Sequence, residues 1–186
     1  MRAARVTLLI FLLVTFSGCT AMRQRRAKAL LTQASKLMKQ DTDVTQQWMD
    51  EFVKVFTPAN RAQFPANRDF LSTHAGKIIK LLDESSSLIS SAADKYDEAA
   101  GLSSDDRRRR GLTAIAASFR KSVEVNDIVK SLMQMVSDET VVEQKIINQR
   151  FSSSAPLIQQ KQREMDHYAE EGKRLLVLNL PQLFGQ

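Results

Sequence analysis

The chain has 186 residues, a formal charge of +6, six glycines, four prolines and one cysteine. Its length is one domain's worth, and the scarcity of glycine, proline and aromatics favours helix over strand. A single cysteine excludes a disulfide framework and every multi-cysteine metal site. The charge excess permits anionic membranes or nucleic acid but is too small to select either.

Arg2 and Arg5 form a short positive region before Val6–Phe16, an unbroken run of apolar residues and threonines. That run is too short to span a bilayer, which takes about 20 residues. It has the length of the apolar part of a signal peptide. Ser17 and Gly18, both small, lead into Cys19, the lone cysteine. The stretch Phe16-Ser17-Gly18-Cys19 resembles the lipobox of a bacterial lipoprotein signal peptide. Phe16 stands where leucine is usual. The resemblance covers the first twenty residues and implies no fold for the rest.

It implies cleavage before Cys19, a diacylglycerol on the Cys19 thiol and an acyl chain on the new amine. Two or three acyl chains make a stable anchor where one binds only marginally. Thr20 follows the cysteine, where aspartate would retain an enteric lipoprotein at the inner membrane. The resemblance therefore implies an outer-membrane anchor facing the periplasm. The alternatives are an ordinary cleaved signal with a chance cysteine, or an uncleaved N-terminal anchor. Residues 1–18 carry two arginines and no acid, so their removal takes the +6 to +4.

Residues 19–26 read as a lipidated cysteine followed by a basic tether. Arg23, Arg25, Arg26 and Lys28 are candidates for contact with lipid headgroups, or else they simply solvate the tether. From Ala27 the chain reads as helix, and residues 27–178 are assigned to an all-α antiparallel bundle of about four long amphipathic helices. The first apolar stripe runs from Leu30 through Ala34, Val44 and Trp48 to Val55, with Asp41 interrupting it. Asp41 therefore marks a contact that is either solvated or specific. The spacing of the stripes is close to seven residues, which predicts coiled-coil-like packing.

The repeat "TPANRAQFPANR" reads as a corner between helices. Thr57 is the expected N-cap before Pro58, and Asn67 the expected cap of the next helix. That helix is expected to bury Phe70, His74, Ile78, Leu82, Ser85, Ile89 and Tyr96, and to end with Gly101 in the left-handed position. A third stripe runs from Leu112 through Phe119, Asn126 and Val136 to Phe151. Pro156 is awkward inside a helix, so a new helix is expected from about Ala155, capped by Ser154. A weaker alternative break lies at Ser137–Thr140. Residues 179–186 read as an apolar tail.

Four consecutive arginines, Arg107, Arg108, Arg109 and Arg110, form a candidate patch for an anion or a partner protein. Against that, Ser103 or Ser104 caps the helix, Asp105 and Asp106 suit its positive end, and each acid has an arginine four residues on. Glu164 and His167 match one Glu-x-x-His element of a di-iron bundle. His74 lacks a glutamate three residues before it, so the second element is missing. His74 reads as a hydrogen-bonded core histidine and His167 as solvated. No catalytic constellation, metal site or phosphate loop is recognisable, and no cofactor is implied beyond the covalent lipid. The reading is a non-enzymatic, lipid-anchored scaffold or interaction protein of the bacterial envelope. It binds a membrane through its anchor, an envelope protein through its helices, and no nucleic acid. The alternative is a helical module holding a lipid or apolar small molecule beside Met133, Met135 and Met165.

Overall fold

The structure is a computed structural model. It describes the backbone of residues 2–57, 60, 63, 66–138 and 143–177, and side chains within those ranges from Thr20 to Leu176. Four helices follow one another: α1 (Arg2–Phe56), α2 (Arg68–Gly101), α3 (Asp106–Ser137) and α4 (Gln144–Val177). Each packs along its length against its sequence neighbour, α1 on α2, α2 on α3 and α3 on α4. Cross-helix partners fix the directions. Asp41 meets Ser85 and Glu51 meets His74, so residue numbers fall along α2 as they rise along α1. Arg120 with Asp97 and Lys130 with Asp83 show the same reversal for α2 and α3, and Glu124 with Lys161 and Lys121 with Glu164 show it for α3 and α4. The fold is an antiparallel all-α bundle.

The core divides into two clusters. At one end Ala27, Leu30, Ala99, Ala100 and Leu112 are buried together, with Leu176 packed against them. The other holds Val55, Leu71, Ile78, Leu82, Val129, Met133, Val136 and Ile147, flanked by Trp48, Phe52, Phe56 and Phe151. Helices α2 and α3 each have neighbours on two sides. Their buried positions are accordingly wider than one stripe and rich in small residues, such as Ala92, Ala93, Ala114, Ala116 and Ser118. The expected α2 stripe is displaced in its first turn: Leu71 and Ala75 are buried, while Phe70 is 42% exposed.

Gly172 of α4 lies against Gly111 of α3. A Cβ on Gly172 would stand 2.6 Å from Ile115 Cδ1 and 2.9 Å from the Gly111 carbonyl oxygen. Glycine is thus required there by the close approach of two backbones. Outside this contact an ionic square links the same helices. Lys121 and Lys161 each bridge Glu124 and Glu164, at 2.6–3.6 Å.

Three expectations about helix ends are corrected. Helix α3 ends at Ser137, at the weaker of the two breaks the sequence offers, where Asp138 turns to extended backbone and its N–H bonds Met135 O at 3.3 Å. Pro156 sits inside α4, and Ser154 is an interior residue, not a cap. Pro156 and Ser152 both lie on the exposed face, where water can take the place of the missing backbone donor. Gly101 is the last residue of α2 and is not left-handed. The helix closes instead by tightening, with Leu102 N–H on Ala99 O and Ser103 N–H on Ala100 O. Asn67 occupies the cap position without a side-chain cap. Its amide donates to Asn60 O at 2.6 Å, and Asn60 in turn donates to Lys54 O.

Thr57 caps as expected. Thr57 Oγ1 accepts from Asn60 N–H at 3.2 Å. Arg68, the arginine of the second repeat, donates to the Asp138 carbonyl at 2.6 Å. It ties this corner to the end of α3. The expected tail at residues 179–186 lies outside the described residues.

An interior proline forfeits a hydrogen bond and strains the preceding turn. Pro156→Ala should therefore raise unfolding free energy in urea by on the order of 2–3 kcal/mol. A helix starting at Ala155 would give the opposite sign, because proline is favourable in a first turn.

Candidate functional site

The candidate cations occupy one end of the bundle. Arg23, Arg25, Arg26 and Lys28 are exposed on α1, while Ala27 and Leu30 between and beyond them are buried. Arg107–Arg110 form the first turn of α3, directly before Gly111 and Leu112. The cap of α3 is Asp105, not Ser103 or Ser104: its carboxylate accepts from Arg108 N–H at 3.0 Å. Ser103 Oγ supports it by donating to the Asp105 carbonyl at 3.2 Å. Asp106 pairs with both Arg109 and Arg110, the latter at 3.2 Å. Arg107 and Arg108 are half-buried, and Arg107 Nε has no hydrogen-bond partner. Lys173 and Arg174 of α4 flank Gly172 at the same end and are exposed. Two basic segments about eighty residues apart in sequence thus share one pole.

In the middle of the bundle a polar chain crosses three helices. Asn126 Nδ2 of α3 donates to Ser85 Oγ of α2 at 3.0 Å, and Ser85 Oγ donates to Asp41 Oδ1 of α1 at 2.6 Å. All three side chains are buried. The donors point one way and end on the carboxylate. Burial pushes the Asp41 carboxyl above its usual range, and the Ser85 and Thr45 hydroxyls partly offset this. Asp41 therefore marks a specific contact. Ser85 is 1% exposed, which leaves no room for a substrate beside its hydroxyl.

At the opposite pole the Glu51 carboxylate binds His74 Nδ1 and Lys54 Nζ. Lys54 first and His74 second hold Glu51 down at about 2. The His74 ring packs on Phe70 with centroids 4.2 Å apart. His74 is half-buried and hydrogen-bonded. Beside it Trp48, Phe52, Phe56 and Phe151 form a ladder with centroid steps of 6.2, 4.4 and 4.6 Å. A crevice of about 20 Å³ lined by Val55, Phe56, Leu71, Val136 and Ile147 lies next to it, roughly one water in size.

Met133 is fully buried in the core, and Met135 packs against the same cluster. Met165 is half-buried on α4. Glu164 belongs to the ionic square and His167 is exposed. Among the described residues no group of three or more His, Cys, Asp or Glu is placed to hold a metal, and no helix is long and apolar enough to cross a membrane. The side chains of Phe16, Ser17, Gly18 and Cys19 lie outside those described.

Sequence reading found the cations, Asp41 and both histidines one at a time. It missed the meeting of the two basic segments and the pairing of Asp41 with Ser85 and Asn126. The signal for the second was present: three polar residues, each on an otherwise apolar stripe.

Asp41 predicts a pH signature. Its folded carboxyl holds a proton more tightly than the unfolded one near 3.8. Stability from this group therefore falls as pH rises from about 3.8 through the raised folded value, then levels off. Glu51 works the other way, losing its contribution as pH falls from 4.5 towards about 2. Urea midpoints of wild type and Asp41→Asn separate the two effects. The difference should move in favour of Asp41→Asn between pH 4 and pH 7, and parallel curves would contradict the buried chain. Ser85→Ala should cost about 1.5–3 kcal/mol at pH 7. No protein-family model, curated protein or solved structure matches the chain.

Proposed function

We propose that the chain is a lipid-anchored protein of the bacterial envelope with a non-enzymatic interaction or scaffold role. The observation that carries the reading is the position of its only cysteine. Cys19 follows a basic start, an apolar run of signal-peptide length and the small pair Ser17-Gly18. Thiol lipidation and acylation of the new amine would leave two or three acyl chains on one residue, enough for a lasting anchor.

The bundle supports the rest. Cys19 lies eight residues before Ala27, the first buried residue of the described chain. At about 1.5 Å per helical residue that is roughly 12 Å, so an anchor there holds the bundle close to the bilayer. The side chains best able to do chemistry are committed to structure: Asp41 and Ser85 to each other, Glu51 to His74, Glu124 and Glu164 to lysines. What the protein offers a partner is long helical surface at a membrane, where confinement raises effective concentration. Thr20 after the cysteine favours the outer membrane.

Two measurements test this. Thr20→Asp should shift the protein from outer-membrane to inner-membrane fractions on a density gradient. Capture of the full mature protein from detergent-solubilised membranes should return one envelope protein in fixed stoichiometry. A monomer with no stoichiometric partner would count against the scaffold role.

A further inference from the structure

The two basic segments share more than an end of the bundle; they are in register. Asp41 stands level with Asn126 through Ser85, and Ala27 is buried with Leu112. Both pairs are 85 residues apart. Helices α1 and α3 run in the same direction, so the same offset sets Arg23 level with Arg108 and Arg25 level with Arg110. Ion pairs at this pole include those of Asp106 with Arg109 and Arg110 and of Lys95 with Glu98. Among the described residues, none engages the cations of α1. Met22, 75% exposed, stands at the same level, beside Arg23.

We propose that this pole is a membrane-docking surface for anionic phospholipid, and that it holds the bundle upright on the bilayer. The proposal rests on the lipid-anchor reading and deepens it. If the described helix carries through Cys19, Arg23–Arg26 lie roughly 6–11 Å along the axis from the lipidated residue. That is comparable to the Debye length of about 8 Å at physiological salt. The α3 arginines stand level with them, so one rigid face presents both rows to the headgroups. Guanidinium groups suit phosphate through paired donors, and Met22 is an apolar side chain able to enter the headgroup layer. The 34 residues of α2 then set its far end, at Arg68 and Phe70, about 50 Å from the surface. Charge complementarity and the adjacent anchor favour lipid over an acidic protein.

The test uses the full mature protein, with its mass checked first, reconstituted in vesicles of phosphatidylcholine alone or with phosphatidylglycerol. Lipidation consumes the only native thiol, so Ser104→Cys places one label at the pole and Ser131→Cys places one towards the far end. A quencher on the headgroups reads their distance. The pole label should be quenched several-fold more in phosphatidylglycerol vesicles than in neutral ones. That difference should vanish in 1 M salt, where the Debye length is about 3 Å. The far label should stay unquenched throughout. Replacing Arg107–Arg110 by glutamine, with the α1 cations still in place, should reduce the lipid dependence. The wild-type salt series carries the test even if that variant folds poorly. Equal quenching in both vesicle types, or quenching of both labels as in a bundle lying flat, would overturn the proposal, as would binding only to an acidic protein. If the mass shows no lipid, the anchor reading fails separately. Flotation of the unlipidated chain then decides the pole, with phosphatidylglycerol-dependent flotation supporting it and none overturning it.

Discussion

The hydrogen-bonded chain from Asn126 through Ser85 to Asp41 sets the register of three helices. Apolar stripes alone specify a face but tolerate a slip of one turn, because leucine and alanine pack in many registers. A buried carboxylate does not tolerate it. A one-turn shift of about 5.4 Å would leave the Asp41 charge among apolar side chains without its donors, a severe penalty. Stability is lowered by burying this carboxyl, and a single alignment of the helices is what it secures. The level arrangement of basic residues at one pole depends on that alignment.

The two poles differ in kind. At the end nearest Cys19, small side chains such as Ala27, Ala99 and Ala100 let α1 and α2 approach closely, and cations crowd the rim. At the far end an aliphatic core is flanked by aromatic rings, and Glu51 meets His74 beside it. The Gly111–Gly172 contact at the cationic end and the ionic square further along clamp α3 to α4. A rigid body with distinct ends suits a protein held at a surface by one of them.

The architecture was largely legible in the sequence, because helical periodicity is local and survives without knowledge of partners. The anomaly at Asp41 was legible for the same reason. What failed was punctuation. Pro156 is the strongest local breaker in that stretch, yet α4 carries it on the exposed face. Helix α3 ends instead at Ser137, where the sequence offers only the weaker of its two breaks. Gly101 likewise looked like a left-handed terminator, but the helix closes by tightening. Caps moved by one or two residues, from serine to Asp105. Long-range pairings were legible only as isolated anomalies, such as the polar residues Asp41, Ser85 and Asn126 on apolar stripes. Nothing in a single chain says that residues 41, 85 and 126, or 23 and 108, stand at one level.

The account rests finally on Cys19. In the proposed function its thiol would react once, during maturation, and the residue would thereafter be an attachment point. The most direct measurement is the intact mass and N-terminal sequence of the protein purified from membranes. The account predicts a chain beginning at Cys19 that carries a diacylglycerol on sulfur and, on the amine, an acyl group. An unmodified residue upstream of Cys19, or a Cys19 with a free thiol, would contradict it.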